Sequence, residues 1–81
     1  MDCLVKLHYL FRHFAPKGEY KKAFVLAIRE GATVRELMQA LNMPDGEEEK
    51  KLIFLNGVRA DETAIIHSGD TVAIYPPIVG G

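Results

Sequence analysis

A single cysteine, Cys3, stands in the 81 residues, so no disulfide can close within the chain and no thiolate-rich zinc or iron–sulfur site can be built from it. Proline is scarce, at four residues, while 48% of the chain is hydrophobic, a balance that supports a folded globule over disorder. No apolar run is long enough for a membrane span. No basic region followed by an apolar stretch opens the sequence, which argues against a secretory signal. Charge of neither sign dominates. Ten basic residues face eleven acidic ones, net −1, and exert no general pull on nucleic acid. Neither a Gly-x-x-x-x-Gly-Lys loop nor a nucleophile elbow is present, so any ATP must be bound by a partner and the chain is expected to bind no cofactor itself. What these absences leave is one small cytoplasmic domain. At this length about 60–65% of the extended chain's surface can be buried, against an ordering cost on the order of 120 kcal/mol. One core must serve the whole chain.

Cys3 to Phe11 alternates, with Cys3, Val5, Leu7, Tyr9 and Phe11 on one face and Lys6 and His8 on the other, which predicts a half-covered strand. Pro16-Lys17-Gly18 marks a loop, and Ala23 to Ile28 predicts a second strand, hairpin-paired to the first. Thr33 and Glu36 have the spacing of a capping box, and Val34, Leu37, Met38 and Leu41 follow at helical period. Asn42-Met43-Pro44 stops that helix after two to three turns. Asp45 to Lys51 is a charged connection. Leu52–Leu55 and Val58–Ala60 flank Asn56-Gly57, the pair that a type I′ hairpin turn requires. Ala64 to His67 carries the chain across, Ser68-Gly69-Asp70 turns it, and Thr71 to Tyr75 forms the last strand until Pro76-Pro77 ends pairing. One helix against four or five strands is an α+β sandwich of two layers.

Ile78-Val79-Gly80-Gly81 follows the two prolines and carries no charge. The prolines stiffen the departure from the sheet. Two glycines without Cβ atoms can thread a narrow channel and bring a carboxylate to a reacting partner. The expected organisation is a folded domain over residues 1–77 and a flexible tail over 78–81.

The chain resembles the sulfur carriers of the ubiquitin-like fold, closest to the family of molybdopterin synthase small subunits, with the thiamine-biosynthesis carriers as neighbours. The residues that carry the likeness are Val5 to Phe11, Glu30-Gly31-Ala32-Thr33-Val34 leading into Leu37, Leu55-Asn56-Gly57, Ser68-Gly69-Asp70-Thr71-Val72, and Tyr75 to Gly81. The resemblance implies a β-grasp fold, a mixed four- to five-stranded sheet packed on one helix. It implies that an ATP-dependent adenylating enzyme activates the Gly81 carboxylate, that sulfur transfer makes it a thiocarboxylate, and that Gly80 keeps the tail slender. A large catalytic subunit, that of molybdopterin synthase or another sulfur-accepting enzyme, then takes the sulfur, with Pro76, Pro77, Ile78 and Val79 entering it. Such a chain has no catalytic side chain of its own. A carrier for thiamine or another product, a ubiquitin-like binding module and a protein modifier are the alternatives.

Among the remaining candidates, His8, His13 and His67 are scattered and read as surface or edge residues rather than metal ligands. Cys3 reads as a small core or edge residue, and Asp61-Glu62 as a turn. Arg12, Lys17, Lys21 and Lys22 form a modest basic cluster that reads first as a solvated face, with a docking patch for an acidic partner surface as the alternative. Phe11, Phe14 and Phe54 are more aromatic surface than two sheet faces need, and Phe54 and Phe11 are the expected partner contacts.

Overall fold

A computed structural model describes residues 1–8, 23–43 and 51–75. These hold β1 (Asp2–Leu7), β2 (Phe24–Ala27), α1 (Val34–Ala40), β3 (Leu52–Leu55), β4 (Val58–Ala60) and β5 (Thr71–Tyr75). The five strands make one sheet in the order β2-β1-β5-β3-β4. β1 and β5 run parallel, with Val5 opposite Val72 and Leu7 opposite Ile74. The other three pairings are antiparallel. Parallel neighbours cannot be joined by a tight turn, so the chain between them makes the helix and the second hairpin before returning. A mixed sheet with its first and last strands parallel at the centre, gripping one helix, is the ubiquitin-like β-grasp, as the resemblance implied.

Period two places Cys3, Val5 and Leu7 of β1, Val72 and Ile74 of β5 and Ile53 of β3 on one buried face. Val34, Leu37 and Met38 of α1, with Leu41 just beyond it, join them in one core. Each such side chain contributes about 1.5–3 kcal/mol on burial. Ile66 is also fully buried, although the sequence pattern gave its segment only the role of a connection. That segment is tied down by backbone bonds: Ile66 N–H donates to the Ala32 carbonyl, and Val34 and Arg35 N–H donate to the Ala64 and Glu62 carbonyls. The first-turn amides of α1 thus find partners in a distant loop as well as in a cap.

The capping box is only half made. Glu36 N–H donates to Thr33 Oγ1 at 3.3 Å, but the Glu36 carboxylate turns away to Arg29, whose Nε and Nη2 donate to it at 2.8 and 2.6 Å. A bidentate guanidinium is a stronger partner than one amide. The helix stops through Asn42, which sits at φ 60. Asn42 N–H bonds to the Gln39 carbonyl and Met43 N–H to the Met38 carbonyl, a Schellman arrangement with Met43 buried beneath it. At the second hairpin Asn56 and Gly57 have φ of 53 and 83, the positive pair expected.

Two strands differ in their bounds from expectation. β1 ends at Leu7 rather than Phe11, and Tyr9 to Phe11 lie outside the described residues. β2 lacks Ala23 and Ile28, although Ile28 N–H still donates to the Met1 carbonyl at 2.8 Å. Among the described residues no helix is long and apolar enough to cross a membrane.

Candidate functional site

The alternation that buries one sheet face leaves the other, among the described residues, bare of helix. Leu4, Lys6 and His8 of the first segment, Thr71, Ala73 and Tyr75 of β5, Leu52 and Phe54 of β3 and Arg59 of β4 share this outer face, by register. Tyr75, the last residue of β5, gathers the face's aromatic side chains. The His8 ring stacks on it, 4.0 Å between centroids and 1° from parallel, and the Phe54 ring meets it edge-on at 5.7 Å and 83°. The edge-on contact of Phe54 suits the quadrupoles of the two rings. Lys6, His8, Phe54, Gly57, Thr71, Ala73 and Tyr75 line a shallow depression of about 350 Å³ here. Ala73, the smallest side chain of the group apart from Gly57, lies between Lys6 and Phe54 by register.

β5 therefore delivers the chain to Pro76 from the middle of the sheet, with a strand bonded on each side. Pro76, Pro77, Ile78, Val79, Gly80 and Gly81 lie outside the described residues, as do Phe11, Phe14, His13 and the basic cluster at 12–22. Phe54 is described, half-buried on the outer face. The structure thus brings Phe54 together with Tyr75, the residue before the tail. Lys6, His8, Tyr75 and Arg59 were not read as a group from the sequence. The period-two pattern assigned Lys6 and His8 correctly to one face, but the partners of β1 across the sheet follow from topology.

At the other end of β5 a polar clasp fixes the turn that precedes it. Asn56 Nδ2 donates to Asp70 Oδ1 at 2.9 Å, Thr71 N–H to Asn56 Oδ1 at 2.8 Å, and His67 N–H to Asp70 Oδ2 at 2.8 Å. The Asn56 amide, then the His67 amide, hold the Asp70 carboxyl below the usual carboxylate range. The Asp70 carbonyl accepts from Leu4 N–H, which locks β1 to the same turn.

The other candidates have structural settings. Cys3 is buried, and burial first, then the Asp70 and Asp2 charges, push its thiol up, away from the reactive thiolate. Asp61 accepts from Thr63 N–H and Oγ1, while Glu62 pairs with Arg35 at 3.4 Å, so the two carboxylates serve separate partners. Among the described residues no group of three His, Cys, Asp or Glu side chains is placed to hold a metal ion.

The family model described as Mut7-C ubiquitin matches residues 2–79. No curated protein matches the chain. Three solved structures are similar across nearly all of it. SAMP1 from Haloferax volcanii is 22% identical, with the whole of each chain covered and a TM-score of 0.74. A putative molybdopterin converting factor subunit 1 from Pyrococcus furiosus is 21% identical over 95% of this chain and 98% of that one, with a TM-score of 0.71. A complex of subunits 1 and 2 of the molybdopterin-converting factor from Helicobacter pylori contains a chain 22% identical over the whole of both, with a TM-score of 0.59. At these identities the likeness is one of fold.

Proposed function

The chain belongs to the Mut7-C ubiquitin family, and on that footing we propose that it is a sulfur carrier whose reacting group is the carboxylate of Gly81. The observation that carries this reading is the sequence Tyr75-Pro76-Pro77-Ile78-Val79-Gly80-Gly81 set directly on the central strand β5. A rigid strand fixes the root, two prolines stiffen the exit, and two glycines leave the end thin enough to enter another protein's site. The subunit 1 proteins of Pyrococcus furiosus and Helicobacter pylori, by their description, add a precedent for the fold in a molybdopterin-converting factor.

In this reading the Gly81 carboxylate attacks the α-phosphorus of ATP on an adenylating enzyme and displaces pyrophosphate. Hydrosulfide then attacks the acyl carbon, AMP leaves with the electrons of the C–O bond, and a thiocarboxylate results. An enzyme persulfide in its place forms an acyl disulfide, whose S–S bond a second thiol cleaves to release the thiocarboxylate and a disulfide. The carrier's own side chains hold no proton and no nucleophile in these steps. They present the tail, while the partner binds ATP and stabilises developing charge. The sulfur goes to a large catalytic subunit, that of molybdopterin synthase first and a thiamine-pathway enzyme second, with Pro76 to Val79 inside it and Phe54 and Phe11 against its surface.

The second reading is a ubiquitin-like binding module, favoured by the fact that the family match ends at Val79, short of both glycines. Mass spectrometry of the C-terminal peptide from cells separates the two. A carrier gains the mass of one oxygen replaced by sulfur at Gly81, and alkylation then shifts it; a binding module has neither change. ATP–pyrophosphate exchange with the organism's adenylating enzyme completes the test. Deleting Gly81 withdraws the carboxylate by up to about 3.5 Å and should nearly abolish exchange. Gly80→Ala adds a methyl group in the channel and should slow it on the order of 100-fold. Normal exchange by the truncated chain excludes the mechanism.

A further inference from the structure

The two edges of the sheet are unlike. β4 is three residues long and carries the exposed Arg59, and short, charged strands resist pairing with another chain. β2 has neither protection. From Ala23 to Ile28 the sequence is Ala-Phe-Val-Leu-Ala-Ile, without charge, proline or glycine, and Val25 is 63% exposed. The charge that follows, Arg29, is turned to the helix, where its Nε and Nη2 hold the Glu36 carboxylate. The ladder with β1 decides which backbone groups of β2 are already bonded. Ile28 N–H donates to the Met1 carbonyl and the Met1 ammonium to the Ile28 carbonyl, each at 2.8 Å, so this pair exchanges both bonds. Such pairs alternate along an antiparallel ladder, and by register Leu26 with Cys3 and Phe24 with Val5 do the same. The N–H and C=O groups of Val25 and Ala27 therefore point away from β1, to the side on which β2 has no neighbouring strand among the described residues.

We infer that β2 is a dimerisation edge, pairing antiparallel with β2 of a second copy of this chain about a two-fold axis at Leu26. The outward groups select this register. Val25 of one copy lies opposite Ala27 of the other, the two exchange N–H to C=O bonds, and the two-fold repeats the exchange. On the helix side Leu26, half-buried and packed on the core, meets Leu26 of the other copy and carries the core across the seam. On the outer side each row across the seam runs Leu4, Val25, Ala27, Asp2, the last two from the other copy. The two Asp2 carboxylates thus stand at least about 14 Å apart, beyond the screening length at physiological salt. Two features favour a second copy over an extended segment of another protein. An antiparallel edge is its own complement, since a two-fold sets each outward donor against an outward acceptor. Pairing also consumes both open edges, so the joined sheet ends at β4 on either side and association stops at the dimer. In each copy β1 separates β2 from β5, so Tyr75 stays clear of the seam, and the two β5 strands run in opposite directions. Self-pairing of β2 leaves the proposed tail chemistry untouched and does not depend on it.

The test is sedimentation of the full chain from ~10 µM to ~1 mM, across which a small interface should take wild type from monomer to dimer. Amide exchange is followed by NMR at both ends of that range. Val25 and Ala27 should exchange several-fold more slowly at the higher concentration, while Phe24 and Leu26, bonded to β1, exchange alike at both. Val25→Glu puts an unpaired carboxylate in the seam and should raise the dissociation constant at least about tenfold. An equal mixture of V25E and A27K should recover a mixed dimer within about threefold of wild-type strength, because the register sets the new carboxylate opposite the new ammonium. V58K, on the other edge, should associate as wild type. Each variant should melt like wild type at low concentration, since Val25, Ala27 and Val58 are exposed. A wild-type chain still monomeric at ~1 mM overturns the inference. So does a dimer that V25E leaves intact, or one in which the Val25 and Ala27 amides exchange as fast as in the monomer. The exchange measurement needs no variant and decides the matter even where one fails to fold.

Discussion

Asp70 has a larger part in the fold than its position in a surface turn suggests. Its two carboxylate oxygens and its carbonyl together accept from Asn56, His67 and Leu4, which belong to three different segments. Asp70→Ala removes two charge-assisted bonds and should cost about 1–3 kcal/mol in denaturant melts. The sign with pH follows from the direction of its shift. The folded carboxyl titrates below its ordinary value of 3.8, so its contribution is complete above that pH and is lost as pH falls through the folded value. Stability should therefore decline with acidification below about pH 4, and Asp70→Asn should flatten that decline. An unchanged acid limb in Asp70→Asn would place the sensitivity elsewhere, with Asp61 and Glu36 as the carboxyls depressed in the same direction.

The helix is the element with the least support of its own, seven residues long, and its ends decide whether it forms. Thr33→Ala removes the side-chain cap and should cost about 1 kcal/mol. Asn42 holds a left-handed backbone, so Asn42→Ala should cost on the order of 1 kcal/mol while Asn42→Gly is neutral or slightly stabilising. Melts of the two Asn42 variants that coincide would mean the turn relaxes without cost. The helix stripe, the Thr33 cap and the Asn56-Gly57 turn were legible because each is local, a matter of period or backbone angle within a few residues. The destination of the Glu36 side chain was not, since Arg29 competes for it from outside the helix. Ile66 escaped for a related reason. It sits in a four-residue segment with no period to read, and only its bonds to Ala32 and its place under the sheet make it core. The outer face was half legible: alternation named the members from β1 and β5, whereas Leu52–Leu55 and Val58–Ala60 flanking a turn gave no faces, and the order β2-β1-β5-β3-β4 was needed to set Phe54 beside Tyr75.

At the scale of the whole molecule, the fold and the chemistry assigned to it are expected to separate along the chain. A protein ending at Pro77 should unfold within about 0.5 kcal/mol of the full chain while losing all exchange with the adenylating enzyme. A collapse of the melt would mean the last four residues belong to the core. The order of the sheet has a further bearing, on how the protein comes to be made. β5 bonds to β1 on one side and β3 on the other, and among the described strands it is the one bridge between the β1–β2 and β3–β4 hairpins. It is also the last of these strands to be synthesised. Until residues 71–75 arrive, the nascent chain holds two separate hairpins, each marginal in water. Assembly must then join segments about 65 positions apart in sequence, the kind of distant pairing that slows folding. The same strand leads into residues 76–81, so a force applied to the chain from that side loads the keystone of the sheet first and, in drawing it out, parts the described strands into their two hairpins.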